Sequence, residues 1–321
     1  MHRSRLPHTS FEILLINPVL PSLERQLAER YTLHRYYEHA DKAGYLREIG
    51  ARIDGVVTGG ASGIAREVMA RLPKLRIVAV NGIGTDAVDL DHARERGLHV
   101  STTPGVLTDD VADLALGLLL ATCRGICNGD RQVREGGWGK APALPLARKF
   151  SGMRVGIVGL GRVGRAIATR AAAFGCPIAY TDLRAIDGVP YRFVDDLAAL
   201  ARDSDALVLA ASADRAEGIV DARVLDALGP DGYLINVARG RLVDEPALVR
   251  ALAEGRIAGA GLDVFVDEPN VPAELYSMPN VVLQPHRASA TVQTREAMGA
   301  IVLDSLAASF AGRRPATSVT P

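Results

Sequence analysis

The residues with the plainest chemical potential stand late in the chain. His286 follows Gln284-Pro285 at the end of one apolar run. Glu268 lies in Asp263-Val264-Phe265-Val266-Asp267-Glu268-Pro269 after another, and Arg239 in Asn236-Val237-Ala238-Arg239-Gly240 after a third. An imidazole titrates near neutrality, so it can pass a proton at a reacting centre, a role worth roughly 10²–10⁴-fold in rate. A neighbouring carboxylate orients the ring and favours its protonated form. A guanidinium offers a planar fork of donors to a carboxylate. Of seven histidines, His2, His8, His34, His39, His92 and His99 come early, and only His286 lies in the second half. Singly, each of the three has a plain structural explanation: a structural histidine, a solvated turn acid, a surface ion pair. On three consecutive predicted strand ends they compose a proton donor, its orienting acid and an anion clamp.

Those strand ends need a cofactor site beside them, and Met153 to Arg184 reads as one. Val155–Val158 is an apolar run without charge, as a strand buried on both faces requires. Gly159, Gly161 and Gly164 follow with G-x-G-x-x-G spacing. Arg165–Phe174 has helix-forming composition, Gly175 is a C-terminal stop, and a second apolar run ends on Asp182. The first glycine permits the turn, the second lets a pyrophosphate approach, and the third lets helix and strand pack closely. The helix N-terminus then offers unpaired N–H groups to the anion. Glycines at this spacing also serve ordinary turns. The complete order of strand, helix, strand and closing acid is what points to a dinucleotide.

Composition narrows the class. The 321 residues hold 37 Lys+Arg and 37 Asp+Glu, so there is no net charge to draw nucleic acid or an anionic membrane. The apolar run Ile13–Ile16, behind Arg3 and Arg5, is too short for a signal peptide. The longest apolar stretch, Leu114–Ala121, is too short to span a bilayer. Three cysteines make no disulfide framework. Cys123 and Cys127 have the i, i+4 spacing of a metal pair but lack further Cys or His ligands nearby, so both are expected to be buried thiols. The chain reads as cytoplasmic.

Strand and helix signals alternate throughout, which predicts α/β architecture with parallel sheets covered on both faces. In the first part the strands are Ile13–Ile16, Leu33–Tyr36, Gly55–Thr58, Arg76–Asn81 and Leu98–Ser101. Helices are expected at Pro21–Arg30, Lys42–Gly50, Ala65–Leu72 and Asp89–Gly97. A helix capped by Thr108 runs to Cys123, and residues 136–150 form a loop. The second part has strands at Ala206–Ala210, Tyr233–Val237, Ala260–Val264 and Val281–Gln284, with helices at Asp196–Arg202, Asp221–Leu228 and Pro246–Ala253. The tail from Gly312 reads as frayed. Ligands in such folds bind at the C-terminal strand ends, here Thr58-Gly59-Gly60 and Asn81-Gly82-Ile83-Gly84 in the first part.

Across nearly its whole length the chain resembles the D-isomer-specific 2-hydroxyacid dehydrogenase family, in the branch of glyoxylate/hydroxypyruvate and hydroxyphenylpyruvate reductases. The resemblance rests on Thr103-Pro104-Gly105-Val106-Leu107-Thr108-Asp109, Val158–Gly164, Asn236–Gly240, Gly261–Pro269, and Pro285-His286 with Ala290-Thr291. It implies reduction of a small 2-oxo acid to the D-2-hydroxy acid with NAD(P)H. Arg239 would bind the 2-oxo acid, His286 would donate the proton, and Glu268 would pair with it. The Ile83-Gly84 backbone would hold the substrate carboxylate. Cofactor contacts would fall on Gly159, Gly161, Arg162, Val163, Gly164, Asp182, Ala238 and Asp263, the last holding the nicotinamide carboxamide. The implied fold is two Rossmann-like, doubly wound domains with the active site in a cleft between them. Residues 1–101 and 290–321 would form a flavodoxin-like substrate-binding domain, and residues 102–289 the dinucleotide-binding domain. A homodimer joined through the cofactor domain and the segment around Trp138 is also implied.

Three departures from the family pattern matter. Where relatives often carry Gly or Ser then Arg and prefer NADP, this chain has Asp182-Leu183-Arg184. A carboxylate there accepts from the ribose 2′-OH and repels a 2′-phosphate, which favours NAD, while Arg184 is the feature that would admit NADP. A proline usual near Ala211-Ser212 is missing. Arg287 follows the histidine where a small or apolar residue is common, and is expected to point outward. Two other readings compete: a cofactor-sensing, corepressor-like protein without turnover, and a formate- or phosphite-type dehydrogenase. The complete Arg–Glu–His set and the lack of a basic tail disfavour the first. The apolar Leu144-Pro145-Leu146 loop disfavours the second.

Overall fold

In a computed structural model, which describes residues 11–212 and 217–321, every apolar run read above as a strand forms one. His2, His8, Arg3 and Arg5 fall outside the described residues. The chain divides into two compact units, one reaching Leu107 and resuming at Ala290–Pro321, the other Thr108–Ser289.

The first unit holds β1 (Glu12–Leu15), β2 (Thr32–Arg35), β3 (Ile53–Gly59), β4 (Ile77–Asn81) and β5 (His99–Ser101). They pair in parallel in the order β2-β1-β3-β4-β5. This is the flavodoxin-like doubly wound order. Between the strands lie α1 (Pro21–Arg30), α2 (Lys42–Ile49), α3 (Arg66–Ala70) and α4 (Leu90–Glu95). The period of two along each strand splits the core. Leu14, Val56, Val78 and Val80 face Leu46, Ile49 and Met69, while Ile13, Leu15, Val57, Ile77 and Ala79 face Leu23 and Leu27. Burying each of these larger side chains contributes about 1.5–3 kcal/mol, which offsets the cost of ordering the crossovers.

The second unit begins with α5 (Thr108–Cys123) and α6 (Ile126–Arg134). It continues through β6 (Val155–Val158), α7 (Arg162–Ala173), β7 (Ile178–Thr181), β8 (Arg192–Phe193), α8 (Leu197–Arg202) and β9 (Ala206–Leu209). The remainder is α9 (Ala222–Leu228), β10 (Tyr233–Asn236), α10 (Glu245–Ala253), β11 (Gly259–Leu262) and β12 (Val281–Leu283). Its parallel strand order is β12-β11-β10-β9-β6-β7-β8. That is the Rossmann order with one added strand, and its direction reverses between β6 and β9. Asp196, Asp221 and Asp244 cap α8, α9 and α10, each accepting a backbone N–H at 2.9 Å. A cap of this kind stabilises a helix by about 1 kcal/mol. The last helix, α11 (Val292–Phe310), belongs to the first unit, where Val302, Leu303 and Leu306 cover the face that packs Leu23 and Leu27.

Several expectations need correction. The tail from Gly312 is not frayed. Ser318 bridges Ser101, the Val319 N–H donates to Val100 O, and the buried Thr320 hydroxyl accepts from Val100 N and donates to Leu98 O. β5 is an edge strand whose outer backbone groups need partners, and the tail supplies them. α7 starts at Arg162 rather than Arg165, because the glycine turn feeds straight into the helix with Gly161 as N-cap. Thr108 is the first residue of α5 rather than its cap. α6 escaped notice because it buries nothing, and its Ile126 and Val133 are exposed. For the same reason Cys127 is exposed, although Cys123 is buried as expected. Among the described residues no His, Cys, Asp or Glu cluster could hold a metal, and no helix is long and apolar enough to cross a membrane.

Candidate active site

The C-terminal ends of β6 and β7 build a glycine-lined edge. Gly159 has φ +88°, and a Cβ there would lie 2.5 Å from Ala211 Cα, so the end of β6 and the loop after β9 touch at the point where strand order reverses. A Cβ on Gly164 would come within 2.0 Å of Gly159 O, which is the close helix–strand packing the third glycine permits. At Gly161 the space where a Cβ would stand is open. Unlike α8, α9 and α10, α7 has no side-chain cap, so its first N–H groups remain available to an anion. Arg162 and Val163 occupy that first turn, with Arg162 exposed. Asp182 Oδ2 accepts from Leu160 N at 2.8 Å, and Oδ1 accepts from Leu183 N at 2.7 Å. The carboxylate thus ties β7 to the glycine turn and keeps lone pairs for a ribose hydroxyl. Leu183 and Arg184 are exposed. These features fit the pyrophosphate and ribose of a dinucleotide.

The ends of β10, β11 and β12 bring the three expected chemical groups into one region of the second unit. Asn236, almost fully buried, brackets the chain after β10: its Oδ1 accepts from Ala238 N and its Nδ2 donates to Arg239 O. Arg239 therefore leaves the strand on a fixed backbone and is half-buried. Its successor Gly240 meets the next loop so closely that a Cβ would stand 1.9 Å from Phe265 C. Glu268 then turns back, Oε1 accepting from Phe265 N at 3.1 Å and Oε2 lying 2.6 Å from His286 Nδ1. With the carboxylate ionised, Nδ1 carries the hydrogen of this bond. Burial pushes the Glu268 carboxyl up. The hydrogen bond and charge of His286, the Phe265 N–H and the Arg239 guanidinium outweigh it and hold the group below the ordinary carboxylate value. His286 is the sole non-glycine residue with positive φ among the described residues, at φ +51°. An L-residue in that region costs about 1–2 kcal/mol, so the surroundings must enforce it.

Asp263 has no exposed surface. Its carbonyl accepts from His286 N at 2.8 Å, and its carboxylate oxygens accept from Arg287 N at 2.7 Å and Ala288 N at 2.9 Å. Burial pushes this carboxyl up, against the two N–H bonds and the His286 charge. The Arg287 residue itself is exposed. Ile83 and Gly84 belong to the first unit, on the loop after β4, where Thr103 N donates to Gly82 O. Ile83 is exposed and Gly84 partly so. Two positioning groups escaped the sequence reading. Asn236 stood in plain view within its motif, but its bracket depends on a turn geometry that spacing does not reveal. Glu245 accepts from Val266 N at 3.1 Å and so fixes the loop before Glu268. In sequence it reads only as an acid in the first turn of a helix, where a charge suits the helix dipole anyway.

Residues 116–288 match the family model described as D-isomer specific 2-hydroxyacid dehydrogenase, NAD binding domain. The chain is 46% identical over 311 residues to the 2-ketogluconate reductase of Gluconobacter oxydans, covering 97% of this chain and 98% of that one. It is 45% identical over 311 residues to a glyoxylate/hydroxypyruvate reductase of Arabidopsis thaliana, covering 97% and 99%. Among solved structures, the NADPH-dependent glyoxylate/hydroxypyruvate reductase of Sinorhizobium meliloti, in complex with NADP and malonate, is similar with a TM-score of 0.88 at 40% identity, covering 97% of each chain. Matched in its cofactor domain and along almost its full length, the chain belongs to the D-isomer specific 2-hydroxyacid dehydrogenase family.

Proposed function

We propose that this protein reduces a small 2-oxo acid, of the glyoxylate or hydroxypyruvate kind, to the D-2-hydroxy acid with a nicotinamide cofactor. The carrying observation is the 2.6 Å contact between Glu268 Oε2 and His286 Nδ1, with Arg239 on the neighbouring strand end. The relatives named for 2-ketogluconate and for glyoxylate/hydroxypyruvate reduction support the same substrate class.

When bound, the reduced nicotinamide supplies a hydride to the carbonyl carbon. The chain's own groups do the rest. Arg239 grips the substrate carboxylate and polarises the carbonyl where negative charge develops. The Ile83 and Gly84 backbone amides share the hold on the carboxylate. His286 gives a proton to the forming alkoxide and regains one from solvent, so the oxo acid gains a hydride and a proton in all. Glu268 fixes the tautomer and stabilises the imidazolium before transfer. Gly159, Gly161, Arg162, Val163 and Gly164 hold the pyrophosphate, Asp182 the adenosine ribose, and Ala238 flanks the cofactor. Asp182 favours NAD over NADP by accepting from the 2′-OH. A homodimer is the assembly favoured by Ile126, Val133, Trp138 and Leu146, exposed apolar side chains on α6 and the following loop. Three free cysteines suit a reducing cytoplasm.

Replacing His286→Ala should lower kcat on hydroxypyruvate by about 10²–10⁴-fold with the cofactor still bound. Turnover within a few-fold of the parent would overturn the assigned donor. The Glu268 carboxyl sits below its ordinary value of 4.5, so the stability it contributes is complete above that value and disappears as pH falls through the lower, folded-state value. The melting-temperature gap between the parent and Glu268→Gln should therefore be widest near neutrality and close in acid; a gap independent of pH contradicts the pair. Replacing Asp182→Ser should raise the NADPH to NADH ratio of kcat/KM by about tenfold, the equivalent of ~1.4 kcal/mol. An unchanged ratio would remove Asp182 from cofactor choice.

A further inference from the structure

Three polar groups near the C-terminal edge of the first sheet lack partners within the protein. Asn81, the last residue of β4, is 8% exposed, and its Oδ1 has no hydrogen bond. Thr103 is fully buried, and its Oγ1 is likewise unpaired. Arg295, in the first turn of α11, is half-buried. Among the described residues it makes no hydrogen bond or ion pair. Burial pulls its guanidinium below the ordinary arginine value, with no acid to offset that. Buried polar groups are nearly always hydrogen-bonded, so three left open in one region ask for a ligand.

The fold brings the three together. Ile77 and Ala79 pack in the cluster that holds Val302, Leu303 and Leu306, while Val78 and Val80 pack on the other face. Asn81 continues the first set, so its side chain leaves the sheet on the face that α11 covers. On that helix Arg295 shares a stripe with Gly299, Val302 and Leu306, at i, i+4, i+7 and i+11. The helix runs against the strand direction, since Phe310 at its end stacks on Phe11, just before β1, at 4.2 Å. Leu306 Cδ2 lies 3.2 Å from where a Cβ on Gly55 would stand. From that level Arg295 is about 16 Å back along the helix axis. Gly59, the register partner of Asn81, is about 13 Å onward along β3. Arg295 and Asn81 therefore share the level at which β4 ends. Thr103 is held beside them, its N–H donating to Gly82 O at 2.8 Å. Thr294 Oγ1 ties the start of α11 to the same segment, donating to Val106 O at 3.2 Å.

We propose that Asn81, Arg295 and Thr103 form a subsite for a hydroxyl on the substrate's carbon chain beyond the oxo group, which makes hydroxylated 2-oxo acids the preferred class. This rests on the reading of the protein as a 2-oxo acid reductase whose Ile83 and Gly84 amides hold the substrate carboxylate. The loop that carries those amides starts at Gly82, directly after Asn81, so a substrate fixed there has its chain beside the subsite. The choice of a hydroxyl follows from the balance of donors and acceptors. Asn81 Oδ1 needs a donor and Arg295 offers only donors, so one ligand group must give a hydrogen bond and receive another. A hydroxyl does both. A distal carboxylate would satisfy Arg295 but confront the Asn81 oxygen, and a methyl group would satisfy neither. Thr103 Oγ1 can give or take, and completes the set.

The test compares hydroxypyruvate with pyruvate, which differ only in that hydroxyl, in the full-length parent, Asn81→Leu and Arg295→Met at saturating cofactor. The hydroxypyruvate to pyruvate ratio of kcat/KM should fall by about tenfold in Asn81→Leu, which removes a neutral partner. It should fall by about tenfold or more in Arg295→Met, where the lost donor is charged. A parental ratio in either variant, including one in which both substrates lose equally, overturns the subsite. Turnover of neither 2-oxo acid by the parent overturns instead the reductase reading beneath it, a result visible before any variant is made. Should a variant not fold, binding to the parent decides. With NAD present, D-glycerate should raise the melting temperature more than D-lactate at equal concentration, and equal shifts overturn the subsite.

Discussion

The hydrogen bond between Glu268 and His286 is the interaction on which the chemistry depends, and most of the second unit can be understood as what holds it. At 2.6 Å it joins a carboxylate to an imidazole across the ends of adjacent strands, β11 and β12. Both partners are only partly exposed, so the bond is less screened than a surface pair, where such contacts contribute little. The carboxylate is aimed from behind by the Phe265 N–H, and the loop carrying it is fixed at Val266 by Glu245. The close passage of Gly240 against Phe265 sets how near Arg239 can stand.

Parallel topology explains why these groups meet at all. In an all-parallel sheet every strand ends on the same edge, so residues separated by dozens of positions become neighbours without long loops. β10, β11 and β12 deliver Arg239, Glu268 and His286 to that edge, and β6, β7 and β9 deliver the glycine turn, Asp182 and Ala211. The glycine turn and Asp182 lie on one side of the reversal between β6 and β9, the three catalytic groups on the other, and Ala211 stands at the reversal itself. Aspartates cap α8, α9 and α10, whereas α7, entering from the glycine turn, has no side-chain cap.

Much of this was legible from residue order because the signals are local. A charge-free run such as Val155–Val158 has few alternatives to a buried strand, and Asp244, just before the helix expected at Pro246–Ala253, marks where that helix starts. Arg239, Glu268 and His286 were found by their places after apolar runs. What stayed hidden depends on long-range pairing. The tail looked frayed because nothing in Ser318-Val319-Thr320 shows that the edge of β5, over two hundred residues upstream, needs partners. α6 was missed because it is short and polar on average, with Asn128 and Gly129 within it, and buries none of its residues. The left-handed backbone of His286 was invisible for a different reason: the sequence signal for that conformation is glycine, and here a histidine adopts it.

The account stands or falls on transfer of hydride and proton to a 2-oxo acid at this edge. The most direct measurement follows a deuterium label from the transferable position of the reduced nicotinamide into hydroxypyruvate, with the configuration of the glycerate determined at the end. The account predicts deuterium on the carbon that bore the oxo group and the D-isomer throughout. Product without the label, or label in the L-isomer, would contradict it.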